Sequence, residues 1–268
     1  SIIYWRNNLT MKQSVFITIV LVVALVVSFA VFQFVFGSPN NFKGGDTVAG
    51  TPINVFGQIY KGGPVVIALM TISIMVITFI IERQLSLGKA KGRGPIEPFV
   101  KKVQTLVMDN DIDGAIAECN KQKGSLANVL RLALERYNVV KNDPIDGEKK
   151  MAEVQRAIEE AMMLEVPLLE RNLVALSTIA SISVLVGLFG TVLGMIRSFQ
   201  ALATAGTPNA TELSTGISEA LINTAFGIFG AIVAIIGYNY FSTRVSNFTY
   251  MIDEATYNIM QILTVKSK

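Results

Sequence analysis

The sequence predicts an all-α membrane protein with four transmembrane helices, the last two long and extended into a helical domain outside the bilayer. Three observations predict it. The chain is 51% hydrophobic and only 16% charged, with a mean hydropathy of +0.49, too apolar for an ordinary soluble domain. The apolar residues gather in four blocks, each long enough to cross a hydrocarbon core, which takes roughly 20 helical residues. The polar sequence between the second and third blocks repeats its apolar residues with helical spacing.

The first block is VFITIVLVVALVVSFAVFQFVF, residues 15–36, and carries no charge. A signal peptide is the competing reading. The run exceeds the ~7–15 apolar residues of a signal core and no small-x-small cleavage site follows, so a retained span is expected. Residues 37–62 are rich in Gly, Pro, Asn and Thr and predict a loop. The second block, GPVVIALMTISIMVITFII, ends at Glu82 and Arg83.

Residues 86–172 hold acidic and basic side chains in nearly equal number. PIEPFVKKVQTLVMD and SLANVLRLALERYNVV place apolar residues at i, i+3, i+4 and i+7 and predict helices, with a short helix between them. KNDPIDGEKK predicts a break. From Met151 the helical pattern runs without pause into the third block and predicts one helix through Ala203, kinked near Pro167. Some fifty residues at ~1.5 Å each would reach roughly 75–80 Å, about twice a bilayer. After the linker TAGTPNATELS the fourth block runs from about Thr215 to Phe241, and the remaining residues again read as an amphipathic helix.

Lys and Arg in the short connections set the orientation. Arg6 and Lys12 precede the first block, and Arg83, Lys89, Lys91 and Arg93 follow the second. The linker before the fourth block has neither residue, and the tail carries Arg244, Lys266 and Lys268. Both termini and the polar domain are therefore expected in the cytoplasm. The resulting organisation is residues 1–36 (cytoplasmic start and first span), 37–62 (outer loop), 63–85 (second span), 86–172 (cytoplasmic helical domain), 173–243 (transmembrane hairpin) and 244–268 (cytoplasmic tail).

Composition also excludes chemistry. There is no histidine, so His-ligated metals, a His base and a His proton relay are ruled out. The one cysteine, Cys119, cannot form an intrachain disulfide. No phosphate-cradling glycine loop and no basic-aromatic patch is present. Neither an enzyme, a bound cofactor nor a nucleic-acid partner is expected.

The hairpin is unusual. Gly187, Gly190, Thr191 and Gly194 in its first helix, and Ala220, Thr224, Gly227, Ala231 and Ala234 in its second, recur at spacings that let membrane helices approach closely. Counted from the linker, Thr191 and Thr224 lie at one depth, ~16–18 Å below the outer end and near the midplane. Each hydroxyl has an alternative role, bonding a carbonyl of its own helix. Glu219 is the only carboxylate inside the predicted spans, and Asn223 stands one turn below it. A membrane-embedded carboxylate is a functional candidate because burying it is costly. Arg197 lies level with Glu219 and is a candidate ion-pair partner at the outer mouth. The midplane offers hydroxyls but no Asp, Glu, Lys or His, so a proton path would need a carboxylate from another chain.

LERNLVALSTIASISVLVGLFGTVLGMIRSF followed by GISEALINTAFGIFGAIVAIIGYNYF closely resembles the ExbB/TolQ branch of the MotA/TolQ/ExbB proton channel family. The shared patterns are G-L-F-G-T-V-x-G-M and G-I-x-E-A-L-x-x-T-A-x-G, and with AIAECNKQKGSLANVLRLALERY the resemblance covers roughly residues 85–245. It implies an ExbB-like homo-pentamer in the inner membrane of a Gram-negative bacterium, with protons as the coupling ion. An ExbD- or TolR-like partner in the pore would carry the missing aspartate, and the work would pass to a TonB- or TolA-like protein acting on the outer membrane. Thr191 and Thr224 match the family's pore threonines, and Glu219 its pore glutamate. Three features depart from the pattern: a first span beyond the usual three, Ile235 and Ile236 where a proline commonly stands, and Arg197, which has no family role to carry over. A stator of another machine (gliding, secretion or flagellar) and a non-conducting membrane scaffold are the alternatives. A solute transporter would show inverted repeats, and none is found.

Overall fold

The computed structural model describes residues 2–47, 50–144, 146–204 and 210–267, with side chains over 15–47, 50–144, 146–203 and 213–266. It is helical throughout: α1 (Ile2–Ala30), α2 (Val55–Lys61), α3 (Val65–Ala90), α4 (Ile96–Met108), α5 (Ile112–Gln122), α6 (Ser125–Val140), α7 (Gly147–Glu170), α8 (Leu173–Thr204) and α9 (Ala210–Ser267). Among the described residues β pairing is limited to one isolated bridge, Phe42 with Pro52. Four helical segments are long and apolar enough to cross a membrane. The chain divides into two compact units, Ser1–Ile80 with Ala175–Tyr238, and Ile81–Val174 with Asn239–Lys268.

In the first unit, the end of the first span is built by its own side chains. The helix widens into a π turn over Val31–Phe36, where Gly37 N–H donates to Phe32 O at 2.9 Å. The Asn41 amide then caps the open carbonyls of Val35 (2.7 Å) and Phe36 (3.0 Å). The loop expected over residues 37–62 is more ordered than its composition indicates. It holds α2, whose N-terminus is capped by Asn54 accepting from Gly57 N–H at 3.0 Å. Asn54 in turn donates to Asn41 Oδ1 at 2.9 Å. Tyr60 stacks on Phe32 and Phe56 on Phe36, with ring centroids 4.7 and 5.6 Å apart. Four-residue steps on both segments bring these rings together, so α2 runs back beside the last turns of the span.

The second unit is a water-type helical bundle. Phe99, Val103 and Val107 of α4, Leu130 and Leu134 of α6, Val154 and Ile158 of α7, and Ile252, Ile259 and Leu263 of α9 are all buried. Their i, i+3/i+4 spacing is the periodicity that predicted helices. Asp111 caps α5 by accepting from Gly114 N–H at 2.8 Å. Lys266 Nζ donates to the last carbonyls of α4, Val107 O (2.8 Å) and Met108 O (2.6 Å), joining the tail to the bundle at a helix C-terminus that favours a cation.

The single helix expected from Met151 through Ala203, kinked near Pro167, is corrected. The chain makes two helices, broken at Arg171 and Asn172, where Asn172 takes a left-handed φ of 63°. Pro167 is accommodated inside α7. Its fixed φ is helical and it withdraws only one donor. The break comes one turn later because distant side chains satisfy it. Arg83, fully buried, donates to Leu169 O at 3.2 Å, and Glu82 neutralises it through two 2.7 Å contacts. Asn172 Nδ2 donates to Glu82 Oε2 at 3.0 Å.

Candidate functional site

The site lies in the first unit, where α8 and α9 meet. Glycine sets their spacing. A Cβ at Gly187 would stand 3.0 Å from both Asn223 O and Gly227 Cα, and one at Gly194 2.8 Å from Ala220 N and Gly216 O. A Cβ at Gly190 would stand 2.5 Å from Asn223 Cβ, and one at Gly227 2.7 Å from Ser183 O. No side chain fits at these four positions without moving backbone or a buried neighbour. Ala231 is buried on α9 at 3% exposure. Ser183 adds a polar tie by donating to Gly227 O at 2.9 Å.

The close approach brings the two threonines together. Thr191 Oγ1 and Thr224 Oγ1 are hydrogen-bonded to each other. Thr191 Oγ1 also reaches Gly187 O (3.2 Å) and Ala220 O (3.4 Å), and Thr224 Oγ1 reaches Ala220 O (3.1 Å). Each hydroxyl has one proton to donate. Either Thr191 donates to Thr224, which donates to Ala220 O, or Thr224 donates to Thr191, which donates to Gly187 O. The pair can therefore exist in two opposite polarities. The role in which each hydroxyl bonds its own helix and the role in which they face each other are both present in the geometry.

Toward the linker, Arg197 Nη1 lies 2.5 Å from Glu219 Oε1. The pair is lopsided: the arginine side chain is 50% exposed and the glutamate 5%. Asn223 is fully buried. Its Nδ2 donates to Gly62 O at 3.0 Å, and its Oδ1 is without a hydrogen-bond partner among the described residues.

Sequence reasoning missed the wall of this cluster, Gly62 and Gly63, the elbow that starts α3. Gly63 has φ +75°, and a Cβ there would stand 2.6 Å from Glu219 Oε1 and 3.3 Å from Arg197 Nη1. Only glycine allows both the left-handed backbone and the approach of a carboxylate. The signal was the Gly-Gly-Pro triplet before the second apolar block. Its local meaning is a turn, and nothing in it names the partner across the fold. Ser183 and Ser198 were also missed. Ser198 bonds Gly194 O at 3.1 Å and Leu213 O at 3.4 Å. The linker residues 205–209 lie outside the described residues.

No group of three or more metal-ligating side chains occurs among the described residues. Cys119, in the second unit, is shielded rather than reactive, since burial pushes its thiol up to about 12.

The two small-residue helices and their threonine pair fall within a stretch that matches a known family. The model of the MotA/TolQ/ExbB proton channel family matches residues 121–254, which include α8 and the membrane half of α9. The chain belongs to that family.

Within the MotA/TolQ/ExbB family its relatives fall in the ExbB/TolQ branch. It is 41% identical over 117 residues to the Tol-Pal system protein TolQ of Pseudomonas aeruginosa, covering 43% of this chain and 51% of that one. It is 33% identical over 197 residues to the putative biopolymer transport protein ExbB-like 3 of Synechocystis sp., covering 73% and 88%. It is 38% identical over 93 residues to the biopolymer transport protein ExbB of Salmonella typhimurium, covering 35% and 37%. The match spans about half the length of the TolQ relatives, 51% and 46%. The four spans and this membership make the chain a multi-pass membrane protein of a proton-channel family.

Proposed function

We propose that the chain is the ExbB-like subunit of a motor driven by the proton-motive force in the inner membrane of a Gram-negative bacterium. Both termini and the helical bundle would face the cytoplasm. Copies of the chain, a pentamer in this reading, surround the membrane helices of an ExbD- or TolR-like partner. Together they conduct protons and energise a TonB- or TolA-like protein for outer-membrane transport. The observation that carries the reading is the Thr191–Thr224 pair. Two hydroxyls joined to each other can relay a proton across the hairpin when a carboxyl of the partner protonates one as the other gives up its own proton to an acceptor beyond, after which rotation of both hydroxyls restores the pair.

Glu219 and Asn223 belong to the same path, toward the outer mouth, and Arg197 is the basic partner of Glu219 there. The partner supplies the midplane carboxylate that this chain lacks. One proton crossing releases ~2.3 kcal/mol per 100 mV, so repeated crossings can drive mechanical work.

The test is proton flux in liposomes containing the chain and its partner. Thr191→Ala and Thr224→Ala are each expected to lower flux by at least about tenfold, the effect of ~1.4 kcal/mol on the barrier. Unchanged flux in both variants would overturn the pore assignment and favour a scaffold role for the hairpin.

A further inference from the structure

The first two spans are unequal. Val15–Phe36 rises ~32 Å as a helix, whereas α3 begins at Val65 and its apolar run ends at Ile81, a rise of only ~24 Å. A hydrocarbon core is roughly 30 Å thick. The second span is therefore short by about one helical turn, and α2 supplies the difference.

The ring pairs fix the depth of α2. Phe56 stacks on Phe36 at the end of the first span, and Tyr60 stacks on Phe32, ~6 Å of helix further in. The helix thus descends beside the span, and the Gly62–Gly63 elbow that follows lies about a turn below the span's end. Counted from Phe32, the first span has ~26 Å left to Val15, close to the ~24 Å of α3. From the level of the elbow, both spans cross the same thickness.

Backbone bonding agrees with that depth. Irregular backbone survives inside a membrane only where protein satisfies its polar groups. Ile59 O and Tyr60 O accept from Gly62 and Gly63 N–H at 2.9 and 3.1 Å, and Gly63 O accepts from Val66 N–H at 3.1 Å. Gly62 O takes the Asn223 amide from α9 at 3.0 Å. At the other end Asn54 caps α2, and Asn41 closes the last carbonyls of the span.

The side chains divide accordingly. Gly57 is buried against the loop, where a Cβ would stand 2.6 Å from Asn41 O. On the open side Val55 is 66% exposed and Phe56 50%. At this level the span itself exposes Phe29 and Phe34, and the open side of α2 continues that apolar surface. Lys61, at the deeper end, turns its ammonium back over the Phe42 ring of the loop, 5.5 Å from the ring centre, as a cation near lipid does. Gln58 is exposed too, but it lies only ~3 Å of helix below Phe56 and can reach the headgroup layer.

We propose that α2 is a re-entrant element, sunk into the leaflet in which the first span ends, with Val55 and Phe56 covered by lipid acyl chains. Less of the outer loop then faces water than its polar composition predicts. The element holds the Gly62–Gly63 elbow below the membrane surface, where it walls Glu219. It is independent of whether the hairpin conducts.

Depth-dependent fluorescence quenching of the full chain in phosphatidylcholine vesicles tests it. Trp5, the only tryptophan, is replaced by Phe, and one indole is introduced by Val55→Trp, Gln58→Trp or, in the loop, Lys43→Trp. Val55, Gln58 and Lys43 are all exposed, so none of these indoles displaces a packed neighbour. Lipids brominated along the acyl chain should quench the first two and place them ~5–10 Å below the headgroup boundary, the indole at 58 the deeper. Aqueous iodide should quench Lys43→Trp alone. Strong iodide quenching at 55 and 58 would overturn the proposal. Resistance of both positions to both quenchers would overturn it as well and would mark the face as covered by protein, such as a second copy of the chain.

Discussion

From Gly216 to Ala234 the buried face of α9 carries Gly216, Glu219, Ala220, Asn223, Gly227, Gly230, Ala231 and Ala234. From Phe241 to Leu263 it carries Phe241, Val245, Phe248, Ile252, Ala255, Ile259 and Leu263. Apart from the polar Glu219 and Asn223, one helix thus buries nothing larger than alanine in its first half, and mostly large apolar side chains in its second. In the second half, water supplies the drive: burying an isoleucine stabilises by about 1.5–3 kcal/mol. In a bilayer, lipid tails are as apolar as leucine, so large side chains gain little by turning inward. What holds helices together there is close backbone approach, and hence dispersion contacts and short polar ties such as Thr191 to Thr224. The large residues of the hairpin accordingly point outward: Leu188, Phe189, Leu221 and Phe229 are each more than half exposed.

The same kind of truncation should therefore cost much in the second half of α9 and little on the outward face of the hairpin. Ile252→Ala, at a fully buried position, is expected to destabilise by about 2–5 kcal/mol. Leu188→Ala, outward on α8, should stay within about 0.5 kcal/mol. Chemical unfolding of the chain in bicelles reads both, and similar losses would break the comparison.

Enlargement reverses the order. Gly227→Val drives a side chain against Ser183 O and the Gly187 backbone, and should cost about 1–3 kcal/mol and separate the threonines. Val245→Ile in the tail meets side chains that can repack and should cost less. Cross-linking between cysteines placed on α8 and α9 would report the separation, and undiminished cross-linking in Gly227→Val would count against glycine as the spacer.

The smallest effect is confined to the second unit. Burial raises the Cys119 thiol from 9.0 to about 12. The unfolded chain releases this proton first, so stability from this group is intact below pH 9 and falls as pH rises from 9 toward 12. Alkylation at pH 8 should be slow in the folded chain and rapid once it is unfolded. Fast labelling of the folded chain would show that the bundle opens more readily than its core implies.

Much of this was legible in the sequence because it depends on spacing along one helix. Four apolar blocks, the i+3/i+4 pattern of α4 and α6, and the glycines of the hairpin all follow from local periodicity. Thr191 and Thr224 are level by counting residues from the linker, and their hydroxyls do meet. The break before α8 was misread because the visible signal, Pro167, is tolerated. The decisive groups, Arg83 and Glu82, lie 86 and 90 positions from the Leu169 carbonyl and Asn172 amide that they bind. Gly63 was unread for the same reason, since its neighbour Glu219 is reached only across the fold.

By itself, then, the sequence determined the class, the number of spans, the small-residue faces and the levelness of Thr191 with Thr224, because helix geometry converts spacing directly into position. Tertiary structure alone decided which groups complete one another. It set Glu219 between Arg197 and the Gly63 elbow, tied Asn223 to Gly62 O, and closed a broken helix with a buried arginine. The physical reason is that hydrogen bonds and charges are satisfied by whatever the fold brings within about 3 Å, and no local pattern encodes that proximity.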